Sequence, residues 1–302
     1  MKFLVTGANG MLGSSLCPRI AAQGHEVVST DLVGPNGRVE RLDIREVDAA
    51  RRLAEAARPD IVMHLAAETD VDRCEREPEH AYRTNAIGTA NIVRACRSVG
   101  AAMLYISTSS VFDGQKNGSY TEEDKPNPLN VYARSKLEGE HIVREHLERS
   151  YVVRAGWMIG GIEKDKKFVA KIIQQLASGQ RQLLAVNDKT GSPTFTDDMA
   201  AGLLRLVATE RFGLYHMVNR GWGTRYDIAR RVVEFWGEPG IEVVPVGSER
   251  FPLPAPRPRS EAMENRRLIE MGCGDWMRPW EEALREYVAE CRRRLGASGV
   301  AR

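Results

Sequence analysis

The sequence predicts an α/β chain, a doubly wound parallel sheet with a smaller α/β lobe attached, and three observations lead there. Short apolar runs alternate with helix-like stretches through the N-terminal half, the pattern of parallel strands joined by crossover helices. A glycine-rich turn separates the first apolar run from the first helix-like stretch. After Trp157 the rhythm changes, and 302 residues suffice for a large domain with a smaller companion.

In order, KFLVT reads as the first strand, MLGSSLCPRIAAQG as the first helix and HEVVSTD as the second strand, ending in Asp31. DIVMHLA supplies another strand, a long helix-like segment runs from Val71 to Val99, and AMLYIS is a strand again. A helix carrying Tyr132 and Lys136 follows, then the strand YVVRAGW. Beyond it come a polar loop GGIEKDKK, an amphipathic run FVAKIIQQLASG, the Gly/Pro-punctuated NDKTGSPT and a proline cluster FPLPAPRPRS. The last residues, GASGVAR, read as a frayed tail. No internal repeat or low-complexity tract interrupts the chain.

Composition excludes several function classes. Lys and Arg number 43 against 41 Asp and Glu, a net charge of +2, so no long-range field marks a binder of nucleic acid or membrane surfaces. The expected partner is a small molecule, and assembly into a homo-oligomer is left open. Five cysteines (Cys17, Cys74, Cys96, Cys273, Cys291) are scattered without a CxxC pair, which argues against a disulfide framework or a zinc site and suits a reducing cytosol. KFLVTG begins as a strand with no leader pattern, and no apolar run approaches the roughly 18 residues of a membrane span. A soluble, unprocessed, cytoplasmic protein is expected. The six histidines show no HExxH spacing, no GxSxG elbow occurs, and no metal site is expected. The run CRRRLG reads as a solvated helix face.

TGANGMLG places Gly7, Gly10 and Gly13, with Asn9, Met11 and Leu12 among them, between the first strand and the first helix. Small residues there let backbone approach a pyrophosphate, and the helix N-terminus offers unpaired N–H groups and partial positive charge. The plainer alternative is a tight turn with close helix packing. Position favours the dinucleotide reading and a Rossmann-type sheet, because Asp31 ends the second strand roughly where a carboxylate meets the adenosine ribose. Alone, Asp31 is equally a strand-end turn residue. At the ribose its charge would repel a 2′-phosphate and favour NAD, while nearby Arg38 and Arg41 offset that and keep NADP open. The divided rhythm then gives a dinucleotide-binding domain of residues 1–155 and about 186–209, and a substrate-binding lobe of about 156–185 and 210–302.

In NVYARSKLEGE, Tyr132 and Lys136 are four residues apart, on one helix face and able to point into one cleft. A phenol with pKa near ~10 is a poor proton donor or acceptor at neutral pH, and a nearby ammonium favours phenolate. Bringing the phenol to about 7 would take roughly 4 kcal/mol, at about 1.36 kcal/mol per unit; the lysine and a cationic nicotinamide ring in a partly dry site are the expected sources. The plainer alternative is a surface tyrosine with a solvated lysine. In YISTSSVFDG an apolar strand ends in a hydroxyl run, and a hydroxyl there could orient a substrate carbonyl beside the tyrosine. Thr108 is the first candidate and Ser110 the second, against the reading of ordinary loop hydroxyls.

These motifs resemble the extended short-chain dehydrogenase/reductases and, within them, the dTDP-4-dehydrorhamnose reductase family. The resemblance covers nearly the whole chain: TGANGMLG, RPDIVMHLAAETDVDRCEREPEHAYRTNA, STSSVFDG, NPLNVYARSKLEGE, VRAGWMIG, NDKTGSPTFTDDMA, GLYHMVNRG and FPLPAPRPRS. Thr108 precedes Tyr132 by the family's spacing. The resemblance implies transfer of hydride from a reduced nicotinamide to the C4 ketone of a nucleotide-linked deoxysugar. Tyr132 would protonate the forming alkoxide, Lys136 assist and Thr108 polarise the ketone. It also implies Thr69, Val71 and Trp157 around the sugar, with Ser109 and Ser110 on the substrate side of the loop. The backbone of Leu65, Ala66 and Ala67 would border the cofactor, and Asp43 and Ile44 would lie near adenine. As plainer readings, Trp157 is a core residue and Thr69 a loop residue.

The chain departs from the family pattern in three places. The usual STDYVFDG has Ser109 and Ser110 in place of the acid and the tyrosine, Lys167 stands where an asparagine often precedes Phe168, and RPRSEAMEN replaces RPxNSxL. Lack of an Asp-Glu pair after the threonine counts against a sugar-nucleotide 4,6-dehydratase. Two rivals remain: an NAD-dependent sugar-nucleotide epimerase, which shares fold, tyrosine and lysine, and a non-catalytic dinucleotide-binding regulatory subunit resembling the β-subunit of methionine adenosyltransferase.

Overall fold

The computed structural model describes residues 1–34 and 39–299, the side chains of 296–299 excepted. Arg38 lies outside the described residues. Strand β1 (Lys2–Thr6) leads through the glycine turn into α1 (Met11–Ala22), then β2 (Glu26–Asp31), the short β3 (Glu40–Arg41), α2 (Val47–Ala57) and β4 (Ile61–His64). Residues 71–99 are not one helix. They form α3 (Val71–Arg76), α4 (Pro78–Tyr82), a π-helical turn (Arg83–Ile87) and α5 (Gly88–Val99). Pro78 at the start of α4 holds Glu77 off helical geometry, at φ −126° and ψ 67°, which breaks α3 from α4.

Then come β5 (Ala102–Thr108), α6 (Val131–His146), β6 (Ser150–Ala155), β7 (Trp157–Ile159), α7 (Phe168–Ala177), β8 (Gln182–Val186), β9 (Thr190–Gly191), β10 (Pro193–Phe195) and α8 (Thr196–Ala208). The chain closes with β11 (Gly213–His216), β12 (Gly223–Thr224), α9 (Arg225–Trp236), β13 (Glu242–Val246), β14 (Ser260–Glu261), α10 (Arg266–Glu270) and α11 (Trp280–Gly299). The expected frayed tail GASGVAR is therefore helical as far as Gly299, and 300–302 lie outside the described residues.

Seven parallel strands form the main sheet in the order β11-β6-β5-β4-β1-β2-β3. Both faces are covered, as an all-parallel sheet requires. Leu12, Leu16 and Ile20 of α1 share one core with α8, and Ala50, Ala54, Ile92, Cys96 and Val143 from α2, α5 and α6 form the other. Strand β11, from a stretch expected to belong wholly to the smaller lobe, is the sheet's seventh strand, so the boundary expected at 210 falls short of it. A separate core, with Ile172, Leu183, Val232, Trp236 and Leu284, gathers α7, β8, α9 and α11, and β8 pairs with β13 in a small parallel sheet of its own. From β1 the chain steps outward to β2 and β3, then crosses back to β4. That reversal opens a crevice at the carboxyl ends of β1 and β4, where such sheets bind ligands.

Candidate active site

Bare backbone lines this crevice. Gly7 adopts φ +73°, and a Cβ there would stand 2.7 Å from the Ala66 nitrogen; one at Gly13 would lie 2.5 Å from the carbonyl oxygens of Gly7 and Ala8. The turn thus packs against the Leu65–Ala67 loop, which the Ala66 N–H anchors to the Thr6 hydroxyl at 3.3 Å. Gly10 caps α1 with no side-chain hydrogen bond, leaving the first N–H groups of the helix for an anionic ligand. Asp31 braces the same turn, accepting from the N–H of Asn9 at 3.0 Å and of Val33 at 3.2 Å. These residues fit a dinucleotide. Met11 opens α1, and the Leu12 side chain belongs to the core. The side chains of Asp43 and Ile44 are otherwise engaged: Asp43 grips Arg45 at 2.6 Å, which lowers its pKa, and Ile44 is buried against Gly88.

Helix α6 delivers the tyrosine and lysine. Asn130 caps it, accepting from the Ala133 N–H at 2.9 Å, while its amide donates to the Pro256 carbonyl at 2.9 Å. Tyr132 is half-buried, with the Thr108 hydroxyl at the end of β5 near enough to favour its ionised form. Burial pushes the phenol up to about 12; Thr108 opposes this, and Cys74 and Glu261 add to it. Lys136 is almost fully buried, its Nζ lying 4.1 Å from the centroid of the Tyr105 ring, and burial pulls it down to about 7 against the attraction of Glu140. In the protein itself the phenol thus lies above its ordinary value, whereas the fall towards 7 is expected from the lysine and a cationic nicotinamide ring together. Desolvation acts on both groups, and the ammonium spends its field on a ring face and on Glu140.

Beneath the lysine, Glu140 and Arg154 form a buried ion pair at 2.7 Å, with the Ser107 hydroxyl donating to Glu140 at 2.5 Å. Buried Asn85, inside the π-helical turn, accepts from the Glu68 N–H at 2.8 Å and donates to the Ser135 hydroxyl at 3.0 Å. It thereby ties the β4 loop to the helix of Tyr132.

The other expected substrate residues divide. Ser109, Ser110 and Trp157 converge on one carboxylate, Glu261 of β14: Ser109 Oγ donates at 3.1 Å, Ser110 Oγ at 2.5 Å and Trp157 Nε1 at 2.7 Å. Ser109 is buried, so of the two serines only Ser110 reaches the cleft. Trp157 lies flat because residue 191 is glycine; a Cβ there would collide with the indole. Arg225 places its guanidinium 4.5 Å from the Trp157 ring and 5.2 Å from that of Phe168. Thr69 is exposed and Val71 half-buried at the start of α3, and no hydrogen bond found among the described residues joins either to Tyr132.

A family model for the RmlD substrate binding domain matches residues 1–293. A dTDP-4-dehydrorhamnose reductase of Mycolicibacterium smegmatis is 38% identical over 291 residues, covering 95% of this chain and 85% of the relative. The chain belongs to the dTDP-4-dehydrorhamnose reductase family. Among solved structures of the family, the Clostridium acetobutylicum protein superposes with a TM-score of 0.89 at 36% identity, covering 97% of this chain and all of that one. A Bacillus anthracis member in complex with NADP gives 0.88 at 31% identity, covering 96% and 99%.

Within this family frame, Glu261, Arg225, Asn85 and Tyr105 are candidate site residues, by their contacts with the expected ones, that sequence reasoning missed. Only Glu261 left a signal, because RPRSEAMEN already stood out from the family pattern. Arg225 opens a helix without any motif around it, and Asn85 and Tyr105 act through tertiary contacts alone. Among the described residues no group of His, Cys, Asp or Glu could hold a metal ion, and no helix is long and apolar enough to cross a membrane.

Proposed function

We propose that this chain reduces the C4 ketone of a nucleotide-linked 4-keto-6-deoxysugar, converting dTDP-4-dehydrorhamnose to dTDP-L-rhamnose with NADH or NADPH. The observation that carries the reading is the Thr108 hydroxyl placed near enough to the Tyr132 phenol to bias its titration, with Lys136 one turn along α6, set beside a bare glycine crevice. Reduced nicotinamide, when bound, supplies the hydride.

The chain's own groups do the rest. Tyr132, held neutral by burial, donates its phenolic proton to the alkoxide oxygen forming at C4. Thr108 holds the phenol in place and orients the ketone. Lys136 Nζ, near 7, steadies the phenolate left after transfer and can carry the replacement proton. Trp157 walls the sugar. Arg225, near enough to bias Lys167 and to be biased by Arg257, provides positive charge for the diphosphate together with those two residues.

The test is absorbance in the reduced-nicotinamide band on mixing protein with the 4-keto sugar nucleotide, NADH and NADPH in separate cuvettes. Decay in either supports the reading. No decay with cofactor binding confirmed overturns it, and sugar isomerisation without net cofactor consumption points to the epimerase.

A further inference from the structure

Ser109, Trp157 and Glu261 come from segments far apart in the chain, yet they meet at one buried carboxylate. A carboxylate only accepts hydrogen bonds and an indole N–H only donates. With Oε2 taken by Trp157, Oε1 receives both serine protons, from Ser109 at 3.1 Å and Ser110 at 2.5 Å. A serine hydroxyl has one proton, so Ser110 turns its lone pairs to the cleft. Its neighbourhood fixes where that matters: the Ser110 N–H donates to Thr108 Oγ1 at 3.2 Å, and Thr108 is near enough to Tyr132 to bias its phenol.

The strap carrying Glu261 is held firmly. Asp72 accepts from the Ala255 N–H at 3.2 Å and from Arg257 at 3.0 Å, Asn130 donates to the Pro256 carbonyl, and β14 pairs with β9. The strap also abuts Gly114, where a Cβ would lie 2.6 Å from the Arg259 nitrogen. Two of the sequence departures are the two ends of this contact. Ser109 stands where the family pattern that the chain resembles has an acid, and Glu261 lies in the proline cluster that departs from that pattern.

We propose that Glu261 is the positioning residue that sets substrate specificity: from β14 it takes the hydroxyl protons of Ser109 and Ser110, leaving Ser110 to accept a hydrogen bond from a sugar hydroxyl adjacent to the ketone. A carbonyl oxygen cannot donate that bond, so the pair of groups also orients the ring. The ketone goes to the phenol of Tyr132 and the neighbouring hydroxyl to Ser110. This rests on the proposed reductase reading for the identity of the sugar.

The experiment compares kcat and KM of the full chain on a 4-keto-6-deoxysugar nucleotide bearing the C3 hydroxyl and on its 3-deoxy counterpart. Wild type should favour the hydroxylated sugar at least ~10-fold in kcat/KM. Glu261→Ser should abolish the preference, Ser109→Asp added to Glu261→Ser should restore it, and Ser109→Asp alone, facing Glu261, should lose activity. A merely structural tie would not give that sign reversal. Ser110→Ala, which leaves the Glu261–Trp157 bond intact, should lose the same preference and serves if Glu261→Ser fails to fold. Equilibrium binding of the two saturated 6-deoxyhexose nucleotides reads the preference without turnover. A wild type that discriminates by binding but oxidises no reduced nicotinamide overturns the reductase reading alone. Unchanged discrimination in Glu261→Ser, or in Ser110→Ala, overturns the role of Glu261.

Discussion

Tyr132 and Lys136 sit one turn apart, and burial drives them in opposite directions, the phenol up to about 12 and the ammonium down to about 7. Neutral phenol is the form a reduction consumes. Tyr132→Phe should cut turnover by ~10²- to 10⁴-fold while nucleotide binding, followed by fluorescence titration, persists; full retained rate would sink the donor role. Lys136 is charged below about 7 and neutral above it, so the rate should fall as pH rises through that value. Arginine stays protonated throughout, and any activity left in Lys136→Arg should lack this limb; an identical profile in both proteins would assign the titration elsewhere. Below them, Glu140→Gln would leave Arg154 buried without its counter-charge, at a cost of about 3–5 kcal/mol. Urea unfolding midpoints measure this, and a loss under 1 kcal/mol would contradict the buried-pair account.

Among elements, the hairline fit of β9 against β7 is the most exposed to a single change. Gly191→Ala would push the Trp157 indole off Glu261, raising KM for the sugar nucleotide with little effect on cofactor affinity; unchanged KM and tryptophan emission would show that the indole is free to move. The same scale shows what the sequence carried. Apolar runs announced β1, β2, β4, β5 and β6, because buried parallel strands leave a continuous apolar signature. The breaks within 71–99 were hidden. Pro78 gave one clue, but the π-helical turn exists to aim Asn85 at Glu68 and Ser135, a purpose that helical periodicity does not register. The two-residue strands β9, β12 and β14 are equally silent, since their pairing is tertiary and their composition is that of loops.

For the molecule as a whole, two buried histidines make acid the natural denaturant. His64, between the hydroxyls of Thr6 and Thr89, and His216, edge-on to Phe112, are both pulled by burial to about 3. Between roughly 6.5 and 3 the unfolded chain binds protons at these positions and the folded chain does not, so stability falls as pH drops through that window. Glu122 beside His216 is pushed up by burial and opposes this over its own range. Thermal midpoints from pH 7 to 4 should decline, and His216→Gln should flatten the decline; a parallel curve would exonerate the histidine. The glycine crevice and the Tyr132–Lys136 pair were legible because they are local in sequence. The carboxylate that gathers Ser109, Ser110 and Trp157 was not, because Ser109 and Glu261 are 152 positions apart. That separation gives the molecule an order of birth. Domains emerging from the ribosome fold from the N-terminus, so all seven strands of the main sheet and the crevice can form before β14 leaves the tunnel. A nascent chain stopped short of residue 260 should hold nucleotide while Ser109, Ser110 and Trp157 still lack their shared carboxylate.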